Sequence, residues 1–248
     1  MYNFILKVRY FILSVLGLIK ECGSLCYNGE KTVLINEGKV NWDVFDSWYS
    51  KNTETPPDGM IIYYNNENNI TSNFDEVLMY CGYDDSADRP LTASKLYTGT
   101  KRFGYGYYEL VAKVPPKGKK WWFAFWLWGN ELDEWPPEID IFEFMGKSSK
   151  VITFTNHFKK RGKHAQKGNR IIGSDLSNGY YSYGLEWAPK KITWYIGGIK
   201  VYQLKTNVPQ YPMGITLTLN GDPEKLYKRG EFAVAHIKSL KYYRNDFL

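Results

Sequence analysis

The sequence predicts an all-β protein, a sandwich of two packed antiparallel sheets. Three observations carry this reading. Apolar and polar residues alternate with a period of two through "YGYYELVAKV", "GITLTL" and "FAVAHIKSLKYY", the pattern of strands that bury one face. Aromatic residues make up 17% of the chain, with 21 Tyr and 9 Trp, and these types favour strands. Polar clusters ("NTETPPDG", "NNENNITSN", "GYDDSADRP") punctuate the runs as turns, and nothing beyond the amino-terminal segment sustains a helical period. With 248 residues, no internal repeat and no linker, the chain reads as one domain behind a short leader.

Taken in order, the elements are legible from local chemistry. Lys7 and Arg9 precede the apolar run "YFILSVLGLI", which is the length of a signal-peptide core and too short for a stable membrane span. Residues 1–26 therefore read as a leader and residues 27–248 as the folded domain, with a secreted or cell-surface location expected. No small-x-small cleavage site follows, so the competing reading is an amphipathic or buried terminal segment. "YGYYELVAKVPP" is a strand closed by Pro115 and Pro116. "KITWYIGGIKVYQL" is a hairpin turning at Gly197-Gly198, and "FAVAHIKSLKYY" supplies a last strand.

Composition excludes several function classes. Cys22, Cys26 and Cys81 form no disulfide framework, and His157, His164 and His236 match no metal spacing. There is no G-x-S-x-G, P-loop or dinucleotide fingerprint. The net charge of +6 is mildly basic and gives no reason to expect a nucleic-acid partner.

Acidic chemistry is concentrated in "PPEIDIFEFMG", which places Glu138, Asp140 and Glu143 within six positions of an apolar strand. Strand side chains alternate faces, so Glu138 and Asp140 share one and Glu143 would point away. Phe142 breaks the alternation by one, as a β-bulge does, and a bulge near Ile141 and Phe142 returns Glu143 to the shared face. Two carboxylic acids on one wall are the equipment of glycoside hydrolysis. Glu138 and Glu143 are then effectively four strand positions apart, roughly 13 Å along the backbone. Side chains that lean together reach the spacing of a retaining enzyme, and side chains that lean less give the inverting one, so stereochemistry stays open at this point. Three crowded carboxylates cannot all stay ionised cheaply, so one should hold a proton near neutrality, as a general acid must. Asp140, between the other two, is placed to share a proton with Glu138. The competing readings are a solvated strand face or a calcium site. Trp and Phe crowd both flanks, which a solvated face does not explain, and calcium would want further oxygen ligands.

"EIDIFE" resembles the E-x-D-x-x-E signature of glycoside hydrolase family 16, the laminarinase and lichenase group. "FGYGYYELVAKVP", "KKWWFAFWLWG", "EWPPEID" and "NGYYSYGLEWAPKKITWYIGGIKV" resemble its neighbouring elements, so the resemblance runs from about residue 90 to the end. "NWDVFDSWYS" is only a faint echo of its first strands. The resemblance implies a jelly-roll sandwich with a concave substrate cleft, Glu138 as nucleophile, Asp140 as its helper and Glu143 as acid/base, in a retaining mechanism. It places Trp122, Trp126, Trp135 and Trp187 near the cleft, where indole faces stack on sugars. Asn156 and His157, expected just beyond the next strand, are candidates for hydroxyl contacts. "TNHFKKRGKHAQKGNR" departs from the laminarinase continuation, which leaves the substrate open.

The expectation is thus an endo-acting retaining β-glycosidase on a polysaccharide, a β-glucan by default, acting as a monomer. It requires no cofactor, and no ligand pattern indicates a structural calcium ion. The rivals are a transglycosylase using the same acids, a hydrolase of an anionic sulfated galactan, and a non-catalytic lectin-like sandwich. The anionic substrate is suggested by residues 144–174, which carry eight basic residues and no acidic one.

Overall fold

The computed structural model describes residues 1–15, 30–41, 43–45, 64–65, 67–83, 85, 91–118, 121–129, 135–221 and 228–244. It is a two-sheet jelly-roll sandwich, as the alternation predicts. A helix, α1 (Tyr2–Val15), precedes sixteen strands. They are β1 (Lys31–Asn36), β2 (Lys39–Val40), β3 (Tyr64–Asn65), β4 (Ile70–Ser72), β5 (Val77–Tyr83), β6 (Leu91–Tyr97), β7 (Gly106–Lys113) and β8 (Trp121–Trp128). After these come β9 (Glu138–Met145), β10 (Val151–Lys160), β11 (Lys163–Ile172), β12 (Tyr181–Ala188), β13 (Lys191–Ile196), β14 (Ile199–Leu204), β15 (Gly214–Gly221) and β16 (Phe232–Arg244).

One sheet runs β11-β10-β9-β8-β15-β6 and the other β5-β16-β7-β12-β13-β14, with β1 beside the end of β16. The two join along one edge, where Gly82 and Tyr83 pair with Thr92 and Leu91. Long antiparallel ladders follow from the short turns. Gly197 and Gly198, at φ 55° and 72°, form the predicted two-residue hairpin between β13 and β14, a conformation that glycine adopts without steric cost.

Between the sheets lies an aromatic core. Phe142 packs against Phe123, Phe125 and Phe144 of its own sheet and, at 4.7 Å between ring centroids, against Tyr183 of the facing one. Such contacts are offset or edge-to-face, the arrangements that ring quadrupoles favour. Along β8 and β9 the first sheet buries one face completely, and its other face points away from the core.

The amino-terminal segment is helical over Tyr2–Val15. Leu6, Tyr10 and Ser14, four residues apart, are buried, and Asn3 exchanges hydrogen bonds of 3.0 and 3.1 Å with the backbone of Gln203 on β14. Its opposite face leaves Phe4, Ile5, Phe11 and Ile12 exposed. The expected cleavage region lies outside the described residues.

Candidate active site

The bulge forms where the broken alternation places it. On one side Phe125 pairs with Phe142 and Trp126 with Asp140; on the other Thr153 pairs with Glu143 and Thr155 with Asp140. Ile141 and Phe142 are both buried, two inward side chains in succession, and beyond them Glu143 returns to the face of Glu138 and Asp140. The carbonyl of Asp140, at the start of the bulge, accepts a 2.9 Å hydrogen bond from the indole N–H of the buried Trp194.

Each acid has a distinct set of neighbours. Glu138 accepts a 3.0 Å hydrogen bond from the indole N–H of Trp135, and its other oxygen lies 3.4 Å from His157 Nε2. Asp140 is buried, with its Oδ2 3.1 Å from the same nitrogen. Glu143 is approached, among the described residues, by the indole N–H of Trp122, which favours its charged form without completing a hydrogen bond. Burial pushes all three carboxyls well above the usual carboxylate range. At both glutamates the charge of Asp140 pushes the same way and the imidazole of His157 opposes it. At neutral pH the cluster therefore keeps protons, which is the condition for general acid work.

Ladder pairing fixes what else shares this face. Trp122, Trp126 and Trp128 alternate on β8 with the buried Trp121, Phe123, Phe125 and Leu127. Trp126 stands beside Asp140, and its indole N–H donates to Thr218 at 3.2 Å. His157 sits opposite Glu138. Four sequence-predicted residues, Trp122, Trp126, Trp135 and His157, therefore lie with the acids.

Two do not. Asn156 is within β10, not beyond it, and its side chain is fully buried on the inner face, donating to the carbonyl of Asn207 at 2.8 Å. A strand that presents His157 to the cleft must turn Asn156 inward. Trp187 is a core residue, packed on Tyr105 and Tyr108 with its indole N–H bonded to the carbonyl of Pro209 at 3.1 Å. It belongs to the second sheet, whose inner face it fills. Sequence reasoning also missed His164, whose Nε2 is 2.9 Å from His157 Nδ1, and Trp128, whose pairing with Glu138 follows from the alternation of β8.

Among the described residues, Glu138, Asp140 and His157 are the trio whose donor atoms all fall within 4.8 Å of one another. A calcium ion would want roughly six to eight oxygen ligands, which a site centred on an imidazole does not offer. We read the spacing as an imidazole hydrogen-bonded to Asp140 with Glu138 close beside it.

Known proteins resemble this chain in sequence and in fold. A beta-glucanase of Bacillus licheniformis is 34% identical over 118 residues, 47% of each chain. A beta-glucanase of Paenibacillus macerans is 29% identical over 196 residues, covering 73% of this chain and 76% of that one. Over the matched relatives that exceed 30% identity, the chain spans half of their length or less. Among solved structures, the catalytic domain of an endo-1,3-beta-glucanase (laminarinase) from Thermotoga petrophila superposes with a TM-score of 0.70 at 20% identity, over 88% of this chain and 100% of that one. The Bacillus licheniformis beta-glucanase gives 0.61 at 22% identity, over 88% and 94%. At such identities the structural likeness speaks for the fold alone. The sequence model of glycosyl hydrolases family 16 matches residues 51–235, most of the chain and all of β9 with its three acids. The chain belongs to that family.

Proposed function

We propose that the protein is an endo-acting, retaining hydrolase of a β-glucan with β-1,3 or mixed β-1,3-1,4 linkages. The observation that carries the role assignment is the unequal support of the two glutamates. Glu138 has the indole N–H of Trp135 hydrogen-bonded to one oxygen and His157 Nε2 3.4 Å from the other, and both neighbours favour its ionised form against the cost of burial. Both glutamate carboxyls are pushed up to about 8, so the roles are assigned from the neighbours. One hydrogen bond is completed to Glu138 and none from Trp122 to Glu143, which makes Glu143 the proposed proton holder. Glu138 therefore attacks the anomeric carbon while protonated Glu143 donates to the leaving oxygen. Glu143, now a base, takes a proton from water as that water releases the sugar from Glu138. Asp140, between them, shares a proton with Glu138 and lowers the repulsion as charge passes from one glutamate to the other. This scheme uses no cofactor.

Trp122, Trp126 and Trp135 are the proposed sugar platforms. The names of the relatives support the glucan. Incubation with laminarin, barley mixed-linkage glucan, agarose and a sulfated galactan, followed by sizing of the products, tests the reading. Internal cleavage of a glucan to short oligosaccharides is expected. Products longer than the starting oligosaccharides would assign a transglycosylase, and binding without cleavage a lectin-like role.

Secretion is part of the proposal. The exposed apolar face of α1 suits a segment recognised in transit better than the surface of a dissolved protein. Intact mass of the protein secreted from an expression host is expected to place its first residue between Glu21 and Tyr27. An unprocessed chain would assign α1 to the folded enzyme.

A further inference from the structure

The β10–β11 hairpin turns at Arg161 and Gly162, with φ of 52° and 76°, and this tight turn sets the register of every pair behind it. Lys159 faces His164 and His157 faces Gln166 across the ladder. His164 thereby lands on the acid-bearing face next to His157. The two imidazoles are nearly parallel, 18° between planes and 5.2 Å between centroids, and Trp135 covers His164 at 4.4 Å. His157 is mostly buried and bridges two neighbours, with Nδ1 2.9 Å from His164 Nε2 and Nε2 3.1 Å from Asp140.

Two ring nitrogens at hydrogen-bond distance share one hydrogen between them, since one must donate and the other accept. Which of them carries it decides the rest of the row. If His164 Nε2–H donates, His157 Nδ1 is a bare acceptor, and a neutral His157 carries its one hydrogen on Nε2, directed at Asp140 and Glu138. If His157 Nδ1–H donates instead, its Nε2 is bare and can only accept a hydrogen bond from a protonated acid. That acid proton is then turned toward His157 and is not shared between Glu138 and Asp140.

We propose that His164 is a positioning residue that fixes the tautomer of His157, so that an N–H, not a lone pair, faces the nucleophile and its helper. The proposal rests on the acid chemistry assigned above. A tautomer is set by the hydrogen bond on the far side of the ring, and in this chain that bond comes from an exposed side chain on an edge strand. The charged groups that face the histidine pair are Glu138, Asp140 and Glu143 on β9 and Lys159 on β10. His164 also borders solvent, so the hydrogen it donates is exchangeable with water while His157 stays enclosed.

The test compares the unmodified protein with His164→Ala and His164→Gln, a glutamine amide being able to replace the Nε2–H donor without titrating. Nitrogen-15 NMR of the histidine side chains reads the tautomer directly, with or without substrate. The Nε2–H form of His157 is expected in the parent and in His164→Gln, and its loss in His164→Ala. On the glucan that the parent cleaves, His164→Ala should lower kcat by about tenfold with little change in KM, and His164→Gln should recover most of the loss. The pH profile should shift in the alanine variant alone. Retention of the Nε2–H form in His164→Ala would overturn the proposal, as would a rise in KM at constant kcat, which would make His164 a sugar contact. Because the NMR arm needs no turnover, a protein that cleaved none of the glucans would refute the proposed activity and leave this inference separately decided.

Discussion

The indole nitrogen of Trp194 on β13 donates a 2.9 Å hydrogen bond across the sandwich to the backbone carbonyl of Asp140. Trp194 is fully buried, and Asp140 is the residue at which the bulge begins. A bulge disrupts its ladder locally, so an acceptor there benefits from a partner outside the sheet. The facing sheet thus helps to hold the bend that brings Glu143 round. Trp194→Phe keeps most of the ring volume and removes the donor. It is expected to cost about 1–3 kcal/mol of stability, the range for leaving a buried acceptor without its partner. It should also lower kcat more than it changes KM. Thermal unfolding and steady-state kinetics on the same preparation check both. An unchanged kcat would show that the bulge holds without this bond.

The unequal surroundings of Glu138 and Glu143 give opposite stereochemical signatures. Each alanine variant should lose nearly all activity and stay folded, because both side chains lie on the ligand face and not in the core. Azide should partly rescue both. In Glu138→Ala it takes the place of the nucleophile and inverts the anomeric centre. In Glu143→Ala it attacks the glycosyl-enzyme from the other side, with net retention. NMR of the two glycosyl azides reads the outcome, and identical configurations would refute the assignment.

The acid cluster should also be a measurable liability to the fold. All three carboxyls are raised above their unfolded values, so between those values and the raised ones the native state binds more protons than the unfolded chain. Stability linked to these groups is fully present below the unfolded values and is lost as pH rises through the raised ones. Glu143→Gln, which cannot ionise, is therefore expected to melt higher than the parent at neutral pH and equally below about pH 4. For a domain of this size each kcal/mol corresponds to roughly 2–4 °C. Melting curves across pH check the sign. A parent that gained stability relative to the variant on going to neutral pH would contradict the raised values.

Most of this site was legible before the structure, because a strand has only two faces and one break in alternation admits few explanations. Glu138, Asp140 and Glu143, the bulge at Ile141 and Phe142, and the turn at Gly197 and Gly198 all follow from period and turn chemistry. What stayed hidden depended on which face of a strand meets the core. Asn156 and His157 are neighbours in sequence, and only the pairing of β10 with β9 decides that His157 goes out and Asn156 in. Trp187 and Trp126 are indistinguishable by composition, yet one fills the core and the other stands beside Asp140. His164 was out of reach for a different reason. Its contact with His157 is set by a hairpin register that turns on Arg161 in a left-handed conformation, and no side-chain pattern announces that.

The basic stretch beyond β9 gives the last prediction, on what charge the proposed cleft accepts. Residues 144–174 hold eight basic side chains and no acid, and β10 and β11 carry most of them. Ladder positions sort them. Arg170 pairs with Thr153, which pairs with Glu143, and Lys159 pairs with His164, so Arg170 and Lys159 lie on the acid face. Lys160, Lys163 and Lys167 occupy the alternate positions and point away. Arg170 is two strands from Glu143, about 10 Å at the usual strand spacing, near the Debye length at physiological salt. At that distance its charge would be largely screened from the reacting sugar, and it would act only on an anionic group bound over β10 and β11. With a neutral glucan as substrate, Arg170→Ser and Lys159→Ser are expected to change kcat/KM by less than about twofold, and the rate should be insensitive to salt. A sulfated galactan should be left intact at low and at high salt. Turnover of the sulfated polymer that falls with salt and is lost in Arg170→Ser would instead make Arg170 a bidentate sulfate partner and move the substrate to the anionic class.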